Sequence, residues 1–196
     1  DVSRSMDAQD AYPSRLERAK SDVRDLLDKL TNSRIGLIAF SGVAAVEVPL
    51  TTDQEHFRLV LDSLDTQSAR RGGTLIGDAI RRAIMSFPDA SARDRAIVLI
   101  TDGLPTAHCE DEWLYMLYPP DPRTEQATMR EAMLCSKEGI TINIFLVPSW
   151  SQSEEDIRFA NRLAQSTSGR VFFTSGKNLD RFVLWDYVQN KREIIA

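Results

Sequence analysis

Asp1-Val-Ser3-Arg-Ser5-Met6 opens the chain, and in it one carboxylate and two hydroxyls alternate with other side chains. Two further oxygen donors stand at places where chains turn. Thr74 follows Gly72-Gly73 just ahead of an apolar helical pattern, and Asp102 closes the run Leu99-Ile-Thr-Asp102-Gly103. Any one of these five residues alone is readily explained as a cap or turn former. As a set they are short, hard oxygen donors, which suit Mg²⁺, with Mn²⁺ or Ca²⁺ as alternatives, far better than Zn²⁺. His56 and His108 are too few and too scattered for a zinc site, and Cys109 and Cys135 form no CxxC pair and read as free thiols.

An enzymatic alternative takes Asp1 as a phosphoryl-accepting nucleophile in a metal-dependent hydrolase. Such chemistry places a second carboxylate two residues later as acid and base, and Ser3 stands there instead. A hydroxyl does no acid–base work near neutral pH unaided. No GxxxxGK[ST] phosphate loop occurs, and two histidines suggest no nucleophile–base arrangement. The set therefore reads as a binding site rather than a catalytic one. A structural scaffold with an unused metal site is the other alternative.

Composition narrows the partners. Against 29 acidic residues stand 24 basic ones, for a formal net charge of −5. A nucleic-acid binder needs a basic face, so nucleic acid is not expected, and Arg70-Arg71 and Arg81-Arg82 read as solvated faces. No apolar run of about 18 residues is present, so no membrane-spanning helix is expected in the chain. A hydrophobic fraction of 42% over 196 residues supports one core and a single domain, 1–196.

The elements that must position the five residues follow from periodicity. Ser14-Arg-Leu-Glu17 has the pattern of a capping box, and Leu16, Ala19, Val23, Leu26, Leu27 and Leu30 then recur at helical spacing. Ile35–Phe40 and Ala44–Val48 read as a hairpin. Thr52-Asp-Gln-Glu55 reads as a second capping box, followed by a helix to about Leu64. A helix is expected over Ile76–Phe87, a buried strand over Ala96–Ile100, a helix from about Thr124 to Lys137, and a strand over Ile140–Val147. The remainder reads as a helix over Ser151–Ser166, a strand over Arg170–Thr174, and a last helix from Leu179 to about Lys191. Residues 104–122, rich in proline, read as a loop beside Asp102.

Alternating strands and helices imply an α/β fold: a doubly wound, mostly parallel sheet with one antiparallel edge strand and helices on both faces. Ligands of such sheets bind outside the carboxyl ends of the strands. That rule brings Asp1, Ser3, Ser5, Thr74 and Asp102 to one edge, provided an apolar strand lies just upstream of residue 1, as this topology requires.

Asp1-x-Ser3-x-Ser5, a distant Thr74 and Asp102 after a buried strand together resemble the metal-ion-dependent adhesion site (MIDAS) of von Willebrand factor A (VWA) domains, a Rossmann-like fold. More narrowly, DVSRSM, SRLERAK, DLLDKL, RIGLIAFSG, VPLT and GGTLIGDAI resemble bacterial VWA domains of the aerotolerance (Bat) and chloride-channel-like type. GRVFFTSGKNL and the Leu-Trp-Asp-Tyr-Val stretch resemble the chelatase/CoxE-related class. The resemblance implies direct coordination by Ser3 and Ser5, by Thr74 when a ligand is bound, and water-mediated roles for Asp1 and Asp102. It also implies a protein partner that presents Asp or Glu, a MoxR-type AAA+ ATPase as partner, and a last helix that moves in an affinity switch. The expected location is a soluble domain at a bacterial membrane or the cytoplasm. Trp113, Tyr115 and Tyr118, beside Asp102, are candidates for a partner-binding rim, since aromatics are enriched at interface hot spots. Glu110, Asp111 or Glu112 could instead reach a neighbour's metal or cover their own, and a packed surface loop is the plainer alternative.

Overall fold

The computed structural model describes residues 1–30, 33–68, 72–88, 94–110, 113–117, 119–150 and 152–173. The last helix expected over 179–191, together with Thr174, lies outside the described residues, as do Arg70-Arg71, Asp111, Glu112 and Tyr118.

Helices begin where short polar side chains satisfy their first amides. The first helix, α1 (Arg15–Leu27), is capped by Ser14, whose hydroxyl accepts from the Glu17 amide. The Glu17 carboxylate turns to Lys20 Nζ at 2.7 Å, so only the serine half of the box is formed. After β1 (Ile35–Phe40) and β2 (Ala44–Thr51), helix α2 (Gln54–Ser63) starts at Asp53 rather than Thr52. The Asp53 carboxylate accepts from the His56 amide at 2.9 Å, and the Thr51 hydroxyl accepts from the Asp53 amide at 3.0 Å. A carboxylate at the positive end of a helix dipole outcompetes the neighbouring threonine for the cap. Helix α3 (Ile76–Ser86) buries Ile76, Ala79 and Ile80 and stops ahead of Pro88.

The sheet has the expected sense. Strand β3 (Arg95–Thr101) is the first of the parallel set. A hairpin, β4 (Ala107–Glu110) and β5 (Trp113–Met116), stands where the sequence reads as a loop. Its prolines flank the pairing instead of interrupting it, and His108 pairs with Tyr115 and Glu110 with Trp113. Helix α4 (Pro122–Lys137) starts with proline inside an Asp121 cap, where its missing N–H costs nothing. Strand β6 (Ile140–Leu146) pairs in parallel with β3, Thr101 opposite Leu146, so their carboxyl ends lie level. Helix α5 (Glu154–Gln165) has a full capping box between Ser153 and Asp156, and β7 (Val171–Phe173) pairs with β6. Helices α1 and α2 cover one face, with Leu16, Ala19, Phe57 and Leu61 against Ala39 and Val48. Helices α3, α4 and α5 cover the other, with Ile80, Ala132 and Phe159 against Leu99, Ile142 and Ile144.

Among the described residues the hairpin β1–β2 and the sheet β3–β6–β7 do not pair with each other. Asp1 and Val2 bridge them. The Asp1 nitrogen donates to Ile100 O at 3.0 Å and the Val2 amide donates to Phe40 O at 2.8 Å. Successive donors aimed at opposite neighbours are the pattern of a central strand. A cavity of about 990 Å³ lies beside Asp1 and Val2, lined among others by Leu16, Leu37, Ala39, Ile80, Ile97 and Leu99. Val98, in mid-strand, is left 38% exposed.

Candidate functional site

After Val2 the chain tightens into a single 3₁₀ turn, Arg4–Asp7, whose fully buried Met6 anchors it in the α1–α2 core. That turn folds Ser5 back over Ser3, and their hydroxyl oxygens stand 3.0 Å apart. Asp1 is fixed at both carboxylate oxygens: Oδ1 accepts from the Ser3 amide at 2.8 Å, and Oδ2 accepts from the Thr101 hydroxyl at 2.7 Å. Thr101, the residue before Asp102, is thereby tied to the first residue. Ser3 is buried and Ser5 is exposed, so the pair reaches from the interior to solvent.

Thr74 is carried by its backbone. Its amide donates to Thr106 Oγ1 at 2.9 Å and its carbonyl accepts from the Thr106 amide at 3.1 Å. The next amide, Leu75, donates to Ser41 O at 2.7 Å, one residue beyond the Phe40 carbonyl that receives Val2. The Thr74 loop and the Asp1–Ser5 loop therefore hang from the same strand end. Gly73 has φ +94°, and a Cβ there would lie 2.9 Å from Met116 Sδ, so the β4–β5 hairpin packs on this loop and only glycine fits.

Asp102 follows β3, whose Thr101 carbonyl accepts from the Val147 amide at 2.9 Å. The loop beyond is pinned by Asp156, whose Oδ1 accepts from the Leu104 amide at 3.1 Å. Asp102 Oδ2 receives Arg15 Nη1 at 2.6 Å. The same guanidinium grips Asp10 with Nε at 2.7 Å and Nη2 at 2.5 Å, and Nη2 also donates to Ser149 Oγ at 2.7 Å. Asp10 Oδ2 in turn accepts from the Trp150 amide at 3.1 Å. The side chains of Arg15, Asp10 and Asp102 are only 8%, 8% and 9% exposed. Hydrogen bonding to Arg15 holds the Asp10 carboxyl down at about 2, and the carboxylates push the guanidinium's own titration up.

Arg15, Asp10, Ser149 and Asp156 were missed by sequence reasoning. Arg15 and Asp10 sit in a segment whose helical signal accounts for them as polar-face and loop residues, and Ser149 meets Arg15 across 134 positions of chain. Of the proposed rim, Trp113 is 72% exposed on the hairpin, while Tyr115 is 38% exposed and stacks on buried His108 at 5.3 Å. Tyr118 lies outside the described residues. A second aromatic pair flanks the Asp10 side of the site: Tyr12 and Trp150, 92% and 91% exposed.

The donor set is hydroxyl-rich. Among the described residues no three His, Cys, Asp or Glu side chains converge as a metal-binding group. Cys109 is exposed and Cys135 buried, both as free thiols. No helix among the described residues is long and apolar enough to cross a membrane.

The family model for the Rv0959-like protein vWA domain matches residues 1–188. A UPF0353 protein of Mycobacterium bovis (strain BCG / Pasteur 1173P2) is 32% identical over 189 residues, covering 91% of this chain and 52% of that protein. The chain thus spans about half the length of this curated relative. Among solved structures, BatB from Bacteroides thetaiotaomicron superposes with a TM-score of 0.79 at 24% identity, covering 98% of this chain and 95% of that one. Proximal thread matrix protein 1 of the mussel byssus, solved with a zinc-occupied MIDAS motif, superposes with a TM-score of 0.65 at 20% identity, covering 97% and 43%. The parallel sheet with its antiparallel pair and two helical faces is the fold these structures share. By its match to the family model over nearly its whole length, the chain belongs to the von Willebrand factor A domains, in the Rv0959-like group.

Proposed function

We propose that this domain is a metal-dependent protein-interaction module, in which a divalent cation joins the domain to an acidic side chain of a protein partner. The cation favoured by the donors is Mg²⁺, ahead of Mn²⁺ or Ca²⁺, held directly by Ser3, Ser5 and Thr74 and through waters by Asp1 and Asp102. When bound, it supplies an open Lewis-acid position for an Asp or Glu carboxylate.

The observation that carries this reading is the 3.0 Å separation of the Ser3 and Ser5 hydroxyls. Adjacent oxygens of an octahedron with bonds of about 2.1 Å lie about 3.0 Å apart, so the two hydroxyls stand at the spacing of neighbouring Mg²⁺ ligands. The same distance serves as a hydrogen bond while no cation is held. Asp1 is already engaged at both oxygens, which suits a carboxylate acting through water and does not suit a free nucleophile. That favours binding over hydrolysis, and we assign no catalytic role.

The mussel protein's zinc-occupied MIDAS supports metal binding at this place in the fold, although hydroxyls and carboxylates are a harder donor set than zinc prefers. The Bat-type sequence resemblance implies a MoxR-type AAA+ ATPase as the partner, at a bacterial membrane or in the cytoplasm, and the BatB superposition adds the shared fold. Trp113 and Tyr115 are the rim residues assigned to contact it.

A pull-down from native bacterial lysate tests the function. The expected result is a MoxR-type ATPase, identified by mass spectrometry, retained in Mg²⁺ and lost with EDTA, with Ser3→Ala, and with Trp113→Ala. Equal retention in Mg²⁺, in EDTA and on Ser3→Ala would end the metal-bridge reading.

A further inference from the structure

We propose that Arg15 is a positioning residue that sets the divalent-cation affinity of the site by competing with the cation for Asp102. This rests on the metal-site reading above and adds its regulation.

Arg15 is the first residue of α1. A cation at a helix amino end opposes the helix dipole, so the position does not serve the helix. Its guanidinium is spent instead on three other segments: Asp10 in the loop before α1, Asp102 after β3 and Ser149 after β6. The planar fork with its fixed donors holds both carboxylates at once. Arg15 thus stands between the carboxylates of Asp10 and Asp102, while Asp1 is fixed on Thr101, the residue before Asp102.

Two consequences follow from this sharing. Asp102 Oδ2 is committed to Arg15 at 2.6 Å, so turning it toward a cation or a cation-bound water costs part of a buried, charge-assisted bond. Asp10, gripped at two points, draws the guanidinium the other way and moderates that hold. Removing Arg15 therefore releases Asp102 and tightens cation binding. Removing the Asp10 charge leaves Arg15 to Asp102 alone and weakens it. Because Asp10 also accepts from the Trp150 amide, a partner that shifts exposed Trp150 would act on the cation through this relay.

The two single variants thus have opposite signs, which a merely structural role would not give. Mn²⁺ binding is measured by electron paramagnetic resonance on wild type, Ser3→Ala, Arg15→Gln, Arg15→Lys, Asp10→Asn and Asp10→Asn/Arg15→Gln, each checked for folding by circular dichroism. The expected results are Ser3-dependent binding in wild type, about tenfold tighter binding in Arg15→Gln, and several-fold weaker binding in Asp10→Asn. Arg15→Lys, which keeps the charge but cannot fork to both carboxylates, falls between wild type and Arg15→Gln. If Arg15→Gln does not fold, the double variant, which removes both members of the tightest pair, carries the test and binds more tightly than wild type. Ser3-dependent wild-type binding with no gain in a folded Arg15 variant overturns the role of Arg15 alone. Wild-type binding absent, or intact in Ser3→Ala, overturns the metal site itself and this inference with it.

Discussion

Arg15→Ala cuts a side chain that joins three loops at the edge of the sheet, and its cost can be worked from the geometry. The change strands Asp10 and Asp102, whose side chains are 8% and 9% exposed in the native arrangement. Breaking a buried ion pair by removing one partner costs about 3–5 kcal/mol, because the remaining charge is left uncompensated. Both carboxylates lie at a solvent-facing edge and can recover some hydration, so the expected loss is near the lower bound, about 3 kcal/mol. Against a typical domain stability of about 5–15 kcal/mol the variant still folds. Urea unfolding followed by circular dichroism in EDTA reads the effect. With a slope of about 2 kcal/mol per molar, the midpoint falls by about 1.5 M. Adding Asp10→Asn to Arg15→Ala removes one stranded charge and restores about 1–2 kcal/mol. A loss below about 1 kcal/mol with no recovery in the double variant would mean the pairs are screened by solvent, and Arg15 would not be the tie that the geometry describes.

Acid stability follows from Asp10. Its folded-state pKa is about 2 against an ordinary 3.8, so its contribution is fully present above about pH 4 and is lost as pH falls through about 2. Unfolding free energies measured from pH 5 to 2 should converge between wild type and Asp10→Asn by about 1–2 kcal/mol, allowing for solvent screening; a constant difference across that window would contradict the Arg15 pairing. Thiol chemistry should separate the two cysteines. Cys109 is exposed, while burial pushes the Cys135 thiol up to about 12. A disulfide reagent should therefore titrate one thiol promptly in the folded protein and the second only on denaturation, and two prompt equivalents would contradict the burial of Cys135.

The sequence made the frame of the site readable because its signals are local. Ile97, Val98, Leu99 and Ile100 announce a strand by themselves, and Asp102-Gly103 marks where it ends. The apolar repeat from Ile76 places Thr74 at a helix entrance in the same way. What escaped is long-range or turns on competition between neighbours. Asp53 took the α2 cap from Thr52 because a carboxylate suits that end better. Ala107–Glu110 and Trp113–Met116 pair as antiparallel strands, stabilised by contacts that sequence periodicity cannot register, namely His108 on Tyr115 and Met116 against Gly73. Arg15 reads from its neighbours as one more polar residue of an amphipathic helix. Its partners Asp102 and Ser149 come from strands far along the chain, brought level only by the parallel register of β3 and β6.

The metal site is tested most directly by the melting of the isolated protein as Mg²⁺ is added. A ligand that binds only the folded state at about 100 times its dissociation constant stabilises by about 2.7 kcal/mol. Wild type should gain stability in proportion to the logarithm of the Mg²⁺ concentration once that exceeds the dissociation constant, and Ser3→Ala and Thr74→Val, folded in EDTA like wild type, should gain none. An Mg²⁺-dependent shift of equal size in all three proteins, or none in wild type, would contradict the assignment of Ser3, Ser5 and Thr74 as the residues that hold the cation.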